Sequence, residues 1–249
     1  MEKRYNSMIE IKNVTKCYSK NVKVIENLDL KINDGEIFGF IGANGAGKTT
    51  TIKMITGILN ITNGDIYIDG KSISKEPIEA KEKLGLVPDD PNIFLQLKGI
   101  EYLNFVADIY NVSTEKRNKD IEELAKRFEI YDSLNERLET YSHGMRQKIM
   151  IISTLIHSPQ NWILDEPLTG LDPKASYELK KIMKEYSQNN KCVFFSTHIL
   201  DVAEKICDRI GIIDKGKLLF VGKFDELKKE LKENKSLEEL FMEITKEKK

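Results

Sequence analysis

Gly42-Ala43-Asn44-Gly45-Ala46-Gly47-Lys48-Thr49 is the stretch that decides the fold of this chain. It matches the pattern G-x-x-x-x-G-K-[ST], in which glycines let backbone N–H groups turn inward and surround an anion. The stretch follows an apolar run, Glu36 to Ile41, that is typical of a buried strand, and it precedes a helix-compatible stretch, Thr49 to Gly57. Since the pattern needs a strand before it and a helix after it, we predict a loop that binds phosphate at a helix N-terminus.

The spacing within this loop predicts roles for individual residues. Lys48 is expected to reach the β- and γ-phosphates of a nucleotide, and the hydroxyl of Thr49 is expected to bind Mg²⁺. The helix that begins at Lys48 adds the positive end of its dipole. The predicted nucleotide contacts in this part of the chain are Gly42, Ala43, Asn44, Gly45, Ala46, Gly47, Lys48, Thr49 and Thr50.

Two adjacent carboxylates follow a second apolar run, Asn161-Trp162-Ile163-Leu164. Asp165, at the carboxyl end of this predicted strand, is placed to reach a Mg²⁺ ion held by the phosphate loop, through water. Glu166 is the candidate base that orients and polarises an attacking water molecule. Two neighbouring acids with different roles favour hydrolysis of a nucleotide over phosphoryl transfer to a substrate hydroxyl.

Hydrophobic periodicity indicates an α/β chain around these motifs. Strands and turns fill the first third, helices the middle, and alternating strands and helices the last third, which predicts a mainly parallel sheet with right-handed crossovers. The predicted strands are Ile9 to Val14, a strand pair over Val22 to Ile32, Glu36 to Ile41, Asp65 to Asp69, Trp162 to Leu164, Val193 to Ser196, Ile210 to Ile213 and Lys217 to Val221. The predicted helices are Ile100 to Tyr110, Ile121 to Phe128, Ser142 to His157, Pro173 to Tyr186 and Ile199 to Ile206.

Composition and charge argue against several classes of protein. The chain has 249 residues, with 39 Lys and Arg against 40 Asp and Glu, a balance unlike that of a dedicated nucleic-acid binder. No apolar stretch reaches the roughly 18 to 20 residues of a membrane span. Met1 to Ser7 is polar and unlike a signal peptide. Three scattered cysteines, Cys17, Cys192 and Cys207, indicate reduced thiols in the cytosol.

Further motifs resemble those of one family, the ATP-binding-cassette (ABC) ATPases. Tyr141-Ser142-His143-Gly144-Met145 resembles the family's signature, usually written LSGGQ, and Leu168-Thr169-Gly170-Leu171-Asp172-Pro173 resembles its D-loop. His198 stands in the place of the family's switch histidine, and Tyr18 in the place of the aromatic residue that stacks on adenine. A strand-edge tyrosine is the alternative interpretation of Tyr18. The resemblance covers about residues 8 to 225, and it is specific because several motifs agree in order.

This resemblance implies a P-loop NTPase fold of ABC type, with a mainly parallel sheet core, an N-terminal antiparallel β-subdomain and an inserted helical subdomain. The ABC ATPase domain is expected over 8–225, its helical subdomain over approximately 90–158, and a charged helical tail over 226–249. In the tail, Ser236 and Glu239 have capping-box spacing and precede an apolar face. That face, formed by Leu237, Leu240, Phe241 and Ile244, either packs on the body of the protein or binds a partner.

The resemblance also implies an ATPase that works as a pair of subunits. Ser142, Gly144 and Met145 are expected to contact the nucleotide of a partner subunit, so that a homodimer or heterodimer encloses two Mg-ATP. His198 is expected to contact the γ-phosphate and to hold Glu166 and the attacking water in register. The implied catalytic residues are Glu166, His198 and Lys48, and the implied Mg²⁺ ligands are Thr49, Asp89 and Asp165.

An ATPase of this family would power a separate integral membrane permease from the cytoplasmic face of the cell membrane. The segment Asp89 to Tyr110 is the candidate surface for a cytosolic helix of that permease, since Ile93, Phe94, Leu95 and Leu97 lie near its start. Packing inside the helical subdomain is the competing interpretation. Export is the expected direction, because the signature and Asp89 resemble those of bacterial exporter subunits, and no nucleic-acid partner is expected.

Two sites depart from the family pattern. His143 replaces the first glycine of the signature and Met145 replaces its glutamine, but Gly144 remains, so the close approach of backbone to phosphate is expected to be kept. Asp89 stands where the family usually has glutamine. A carboxylate can bind the ion or its water but cannot donate a hydrogen bond as an amide does. A turn residue beside Pro88 is the alternative interpretation of Asp89.

Other functions are weighed against this one. The main alternative is a soluble ABC ATPase acting in repair, translation or cofactor assembly. Only one cassette is present, and the stretch between Lys48 and Asp165 has room for an ordinary helical lobe but not for a long coiled coil. A GTPase switch is disfavoured because no Asn-Lys-x-Asp run is present, and Asn118-Lys119-Asp120 has the wrong spacing. His143 and His157 are expected to have structural roles.

Overall fold

The computed structural model describes residues 7–19, 22–92, 94–230 and 236–247, and the elements below lie within these ranges. The strands are β1 (Ser7–Ser19), β2 (Val22–Asn33), β3 (Ile37–Ile41), β4 (Asn63–Ile68), β5 (Lys71–Ser72), β6 (Leu84–Val87), β7 (Asn161–Asp165), β8 (Cys192–Thr197), β9 (Arg209–Asp214) and β10 (Lys217–Gly222). The helices are α1 (Lys48–Ile55), α2 (Pro77–Lys81), α3 (Gly99–Ile109), α4 (Thr114–Arg127), α5 (His143–Ile156), α6 (Pro173–Gln188), α7 (Leu200–Ile206), α8 (Phe224–Glu230) and α9 (Leu237–Glu247).

A four-stranded antiparallel sheet in the order β2-β1-β4-β5 forms the N-terminal subdomain. The strand pair predicted over Val22 to Ile32 is wrong, because these residues form the single strand β2. Asn27 takes a left-handed backbone conformation with φ 46°, and the register between β1 and β2 shifts at this point. Such a bulge interrupts the alternation of apolar and polar side chains, so one strand resembles two in the sequence.

A six-stranded sheet in the order β10-β9-β3-β8-β7-β6 forms the core. All its pairings are parallel except that of β10 with β9, which confirms the predicted mainly parallel sheet. Strands β3, β7 and β8 are buried along their whole length, as expected of strands that are covered by other elements on both faces. The sequence did not predict β6, because four residues that include Gly85 are too few to show a periodic pattern.

Parallel pairing brings three strand ends to one edge of this sheet. Ile41 at the end of β3 lies opposite Thr197 in β8, and Asp165 at the end of β7 lies opposite Ser196. The loop that follows β3 is residues 42–47, and the residues that follow β7 and β8 are Glu166 and His198. Because the carboxyl ends of parallel strands meet at the same edge, the fold gathers motifs that are far apart in sequence.

Helices α3, α4 and α5 lie between β6 and β7 in the chain and share one apolar cluster with the core sheet. The helices predicted over Ile100 to Tyr110 and Ser142 to His157 are confirmed as α3 and α5. Helix α4 begins seven residues before the helix predicted over Ile121 to Phe128. No helix among the described residues is both long enough and apolar enough to span a membrane. The domain boundaries at 8–225, 90–158 and 226–249 stay predictions.

The tail helix α9 packs on the body of the protein. The predicted capping box is present, because Ser236 N donates to Glu239 Oε2 at 2.9 Å and Glu239 N donates to Ser236 Oγ at 3.3 Å. Leu237 and Leu240 are fully buried in a cluster that includes residues of α7 and β9. The apolar face of α9 is therefore satisfied within this chain, which favours packing over partner binding.

Phe194 tests the packing of the core sheet. Its ring is fully buried in β8, at centroid distances of 5.9 Å from Phe38 and 5.5 Å from Phe40. We expect Phe194→Ala to lower the free energy of unfolding by about 3–5 kcal/mol, because the lost contacts leave a cavity. Urea denaturation followed by circular dichroism measures this. Tyr177→Ala, at an exposed position of α6, is the control and should change stability by less than about 0.5 kcal/mol. Equal effects of the two changes would contradict the predicted packing.

Candidate functional site

The loop between β3 and α1 is shaped by steric contacts that only glycine allows. Gly47 has φ 114°, and a Cβ atom there would lie 2.6 Å from Ile25 Cδ1 of β2. A Cβ atom on Gly42 would lie 2.6 Å from the carbonyl oxygen of Ile213 in β9. The loop is thus pressed between two other strands, and helix α1 starts directly after it at Lys48. This is the strand, turn and helix arrangement that the sequence pattern predicts.

The ammonium group of Lys48 lies over this loop and is almost fully buried. Its Nζ donates to the carbonyl oxygen of Gly42 at 2.7 Å and lies 3.2 Å from Glu166 Oε1. A buried cation at the N-terminus of a helix, beside inward-turned backbone groups, suits a polyphosphate anion. The remaining predicted contacts belong to this loop and the first turn of α1: Ala43, Asn44, Gly45, Ala46, Thr49 and Thr50.

The side chain of Ser196 joins the two acidic residues. Ser196 Oγ donates to Asp165 Oδ1 at 2.6 Å and accepts from the backbone N–H of Glu166 at 3.0 Å. Burial raises the pKa of Asp165, and hydrogen bonds from Ser196 and Thr49 partly oppose that rise. Ser196 is a site residue that was not predicted from the sequence. Its position at the end of a strand beside the Asp165 strand was the available signal.

Glu166 is held from two sides. Its Oε1 forms the ion pair with Lys48, and its Oε2 lies 3.0 Å from Nδ1 of His198. Since a carboxylate only accepts, Nδ1 of His198 carries the proton in this contact. The backbone of Glu166 has φ 47°, a left-handed conformation that is uncommon for residues other than glycine. Strained backbone of this kind clusters at functional sites, and here it aims the carboxylate at Lys48 and His198.

Thr49, Asp89 and Asp165 line one cavity of about 180 Å³, together with Pro88 and Lys53. The negative charge of Asp89 adds to the raised pKa of Asp165, whose largest cause is burial. Two carboxylates and a hydroxyl form the oxygen-only donor set that Mg²⁺ prefers, with water and phosphate as its further ligands. Within the described ranges, no group of three or more His, Cys, Asp and Glu side chains forms a metal cluster. The three oxygen donors of Thr49, Asp89 and Asp165 fit an ion that takes its other ligands from water and a nucleotide phosphate.

Tyr18 lies near the end of the β1–β2 hairpin, and 60% of its surface is exposed. Strand β2 of the same hairpin contacts Gly47 through Ile25, so the hairpin is adjacent to the phosphate loop. Lys16 Nζ lies 5.3 Å from the centre of the Tyr18 ring. A ring that is this exposed is accessible to a nucleobase.

Ser142, Gly144 and Met145 form a second group of predicted site residues. Ser142 caps helix α5, since its Oγ accepts from the backbone N–H of Met145 at 3.3 Å. Gly144 lies against Gly170 in the segment after Glu166. Among the described residues, no hydrogen bond or ion pair joins residues 142–145 to the phosphate loop. The structure thus brings together Lys48, Thr49, Asp89, Asp165, Glu166 and His198, and leaves the Ser142 turn outside that cluster.

Comparison with known proteins finds a family model described as "ABC transporter" that matches residues 25–169. The "Uncharacterized ABC transporter ATP-binding protein YhcH" of Bacillus subtilis is 38% identical over 218 residues, which are 86% of this chain and 69% of that protein. The "Bacitracin transport ATP-binding protein BcrA" of Bacillus licheniformis is 35% identical over 225 residues, which are 90% of this chain and 72% of that protein.

Solved structures give the same result. The structure described as "ATP binding subunit of ABC transporter" superimposes with a TM-score of 0.92 at 31% identity and covers 96% of this chain and 100% of its own. An ATP-binding cassette solved as a dimer in a post-hydrolysis state with ADP and Pi has a TM-score of 0.79 at 27% identity, with 87% of this chain and 98% of its own covered.

Lys48→Ala tests the phosphate loop. We expect the affinity for ATP to fall at least about tenfold, because the variant lacks a charge-assisted hydrogen bond to phosphate. Isothermal titration of the purified protein with Mg-ATP measures this. Lys184→Ala removes the same charge from an exposed position of α6 and should leave ATP affinity unchanged. Unchanged affinity in Lys48→Ala would contradict the assignment of the loop.

Proposed function

The chain belongs to the ABC transporter family as an ATP-binding subunit, and we propose that it hydrolyses ATP at a dimer interface to power a separate membrane permease, in the direction of export. The observation that carries the hydrolytic part is the position of Glu166, held between Lys48 and His198 and next to Asp165. A fixed carboxylate beside a phosphate-binding loop is what activation of water at a γ-phosphate requires.

Different residues of the site have different roles in hydrolysis. The backbone of residues 42–49 and the ammonium of Lys48 bind the phosphates and offset their charge. Glu166 orients the attacking water and accepts its proton, and His198, which donates through Nδ1 to Glu166, keeps that carboxylate in place. Mg²⁺, held by Thr49 and Asp165 with Asp89 nearby, would neutralise charge on the β- and γ-phosphate oxygens. The ring of Tyr18 stacks on the adenine.

The dimeric part of the proposal follows from the second group of residues. Ser142, Gly144 and Met145 offer a hydroxyl and backbone N–H groups at a helix N-terminus, and they make no polar contact with the phosphate loop of their own chain within the described residues. A second chain that places these residues over the nucleotide would complete the phosphate contacts. A related cassette has been solved as a dimer with ADP and Pi, which supports this arrangement. The partner is a second copy or a related ATPase subunit.

The permease contact is proposed at a groove of about 480 Å³ at the start of α3. Leu95 and Leu97 pack against the helical core, whereas the rings of Phe94 and Phe105 are 54% and 42% exposed and lie 5.5 Å apart. Packing inside the helical subdomain therefore applies to Leu95 and Leu97, and a surface for the permease is offered by Phe94 and Phe105. Ile93, which belongs to the predicted surface, lies outside the described residues. The exposed rings suit an apolar face of a cytosolic helix from the membrane subunit, which would hold this chain at the inner face of the cell membrane.

The direction of transport rests on relatives. BcrA is named for bacitracin transport, and a relative from Cupriavidus metallidurans, 31% identical over 221 residues, is named "Nod factor export ATP-binding protein I". The name of the second relative supports export by the transporter to which this chain belongs. The cargo would be selected by the permease.

Glu166→Gln tests the catalytic assignment. We expect ATP to bind with unchanged affinity while turnover falls at least about 100-fold, because an amide cannot accept the proton of the attacking water. The trapped nucleotide should accumulate a dimer on a sizing column. Phosphate release and column elution measure the two effects, and Glu79→Gln at an exposed position of α2 is the control. Normal turnover in Glu166→Gln would remove Glu166 from this role.

Phe105→Ser tests the docking groove. We expect the affinity for the permease, and the permease-stimulated ATPase rate, to fall about tenfold, since exposed aromatic residues dominate binding energy in such contacts. Co-purification from native membranes and ATPase assays in proteoliposomes measure this. Tyr177→Ser removes an exposed ring from α6, outside the groove, and should have no effect. Recovery of the wild-type chain in a complex without a membrane protein would instead favour a non-transport ABC ATPase.

A further inference from the structure

The imidazole of His143 occupies the space beside Gly170 that a side chain at position 170 would need. A Cβ atom built on Gly170 would lie 3.0 Å from Nε2 of His143 and even nearer to its Cδ2 atom. From the other side, a Cβ atom on Gly144 would lie 2.5 Å from the carbonyl oxygen of Gly170. The turn at residues 142–145 therefore packs against the segment at residues 168–172. The turn contributes the ring of His143, and the segment contributes Gly170, which has no side chain. We call this contact the turn–segment junction.

An ion pair reinforces this junction two residues further along the segment. Lys148 of α5 is nearly buried, and its Nζ lies 2.8 Å from Asp172 Oδ2. Asp172 also caps α6, because its Oδ1 accepts from the backbone N–H of Ala175 at 2.8 Å. The hydrogen bond from Lys148 and the bond from Ala175 lower the pKa of Asp172, so its carboxylate stays charged in the pair. The segment is thus fixed to α5 at two points.

The other end of the segment is bonded to the catalytic carboxylate residue. The backbone N–H of Thr169 donates to the carbonyl oxygen of Glu166 at 3.1 Å, and Gly170 is the next residue. Three residues therefore separate the strained backbone at Glu166 from Gly170, which contacts His143. A displacement of the turn at 142–145 would reach Glu166 through this short connection.

We propose that His143 is a positioning residue: its ring packs on Gly170 and makes the turn at 142–145 and the segment at 168–172 move as one unit, so that closure of the turn over the partner's nucleotide sets Glu166 in its own site. The inference rests on the proposed dimeric ATPase and deepens it. It also accounts for a histidine in place of the family's glycine. The ring is directed onto Gly170.

His143→Ala is the main test, because alanine removes the ring without adding the backbone freedom of glycine. We expect kcat for ATP hydrolysis to fall about tenfold, while ATP affinity of the isolated subunit stays unchanged, because Lys48 and its loop are untouched. In a Glu166→Gln background, the dissociation constant of the ATP-bound dimer should rise by a similar factor. His143→Phe keeps a ring over Gly170 and should recover most of the rate.

A double-mutant cycle with Gly170→Ala separates the contact from other effects. Gly170 has φ 77°, so alanine is strained there in any background. The clash with the ring, however, exists only when His143 is present. We therefore expect Gly170→Ala to reduce kcat by a clearly smaller factor in the His143→Ala background than in the wild type.

The outcomes are distinguishable. If the wild-type chain hydrolyses ATP and its Glu166→Gln variant dimerises, but His143→Ala keeps both kcat and dimer affinity within about twofold, the role of His143 is overturned and the proposed function stands. If kcat falls only in proportion to a lower thermal stability of the isolated subunit, His143 is structural and the inference is again overturned. If the wild type neither turns over ATP nor dimerises in any variant, the proposed function fails together with the inference.

Discussion

The hydrogen bonds of the Ser196 hydroxyl are the contacts on which the site depends. Asp165 is almost fully buried, and a buried carboxylate without a partner is strongly unfavourable. Ser196 supplies that partner and at the same time accepts from the backbone of Glu166, so one small side chain fixes both acids. His198 follows two residues later and contacts the Glu166 carboxylate. A single buried strand, β8, therefore positions three groups that would otherwise depend on separate loops.

The parallel sheet makes it possible for one strand to position all three groups. In a parallel pairing, residues at the carboxyl ends of neighbouring strands face the same edge, and β3, β8 and β7 are consecutive neighbours. The phosphate loop leaves from the first of them and the acidic pair from the last, with Ser196 between. Aromatic packing of Phe38 and Phe40 of β3 against Phe194 of β8 stabilises these two neighbouring strands. The rigid part of the core thus lies directly beneath the reactive groups.

The sequence was sufficient to predict those parts of the fold and site that depend on residues close together in the chain. Motif spacing within a short window predicts the phosphate loop and the strand that ends at Asp165. Hydrophobic periodicity within a short window predicts helices α3, α5 and α6. Strand β6 and the bulge at Asn27 were missed because a four-residue strand and a single left-handed residue leave no periodic trace. Ser196 and the contact of His143 with Gly170 were missed for a different reason. Each depends on which distant segments become neighbours, and that is decided by strand order and helix packing and not by any nearby residue.

The left-handed backbone at Glu166 has a consequence for how this protein can change over time. A residue with a side chain in that conformation costs on the order of 1 kcal/mol or more relative to glycine. A glycine or asparagine at position 166 would relax the turn, but it would leave the nearly buried ammonium of Lys48 without its ion-pair partner and would abolish the proton acceptor. The strained backbone at position 166 is therefore retained together with the carboxylate, because the ion pair and the proton acceptor both require an acidic group that glycine and asparagine lack.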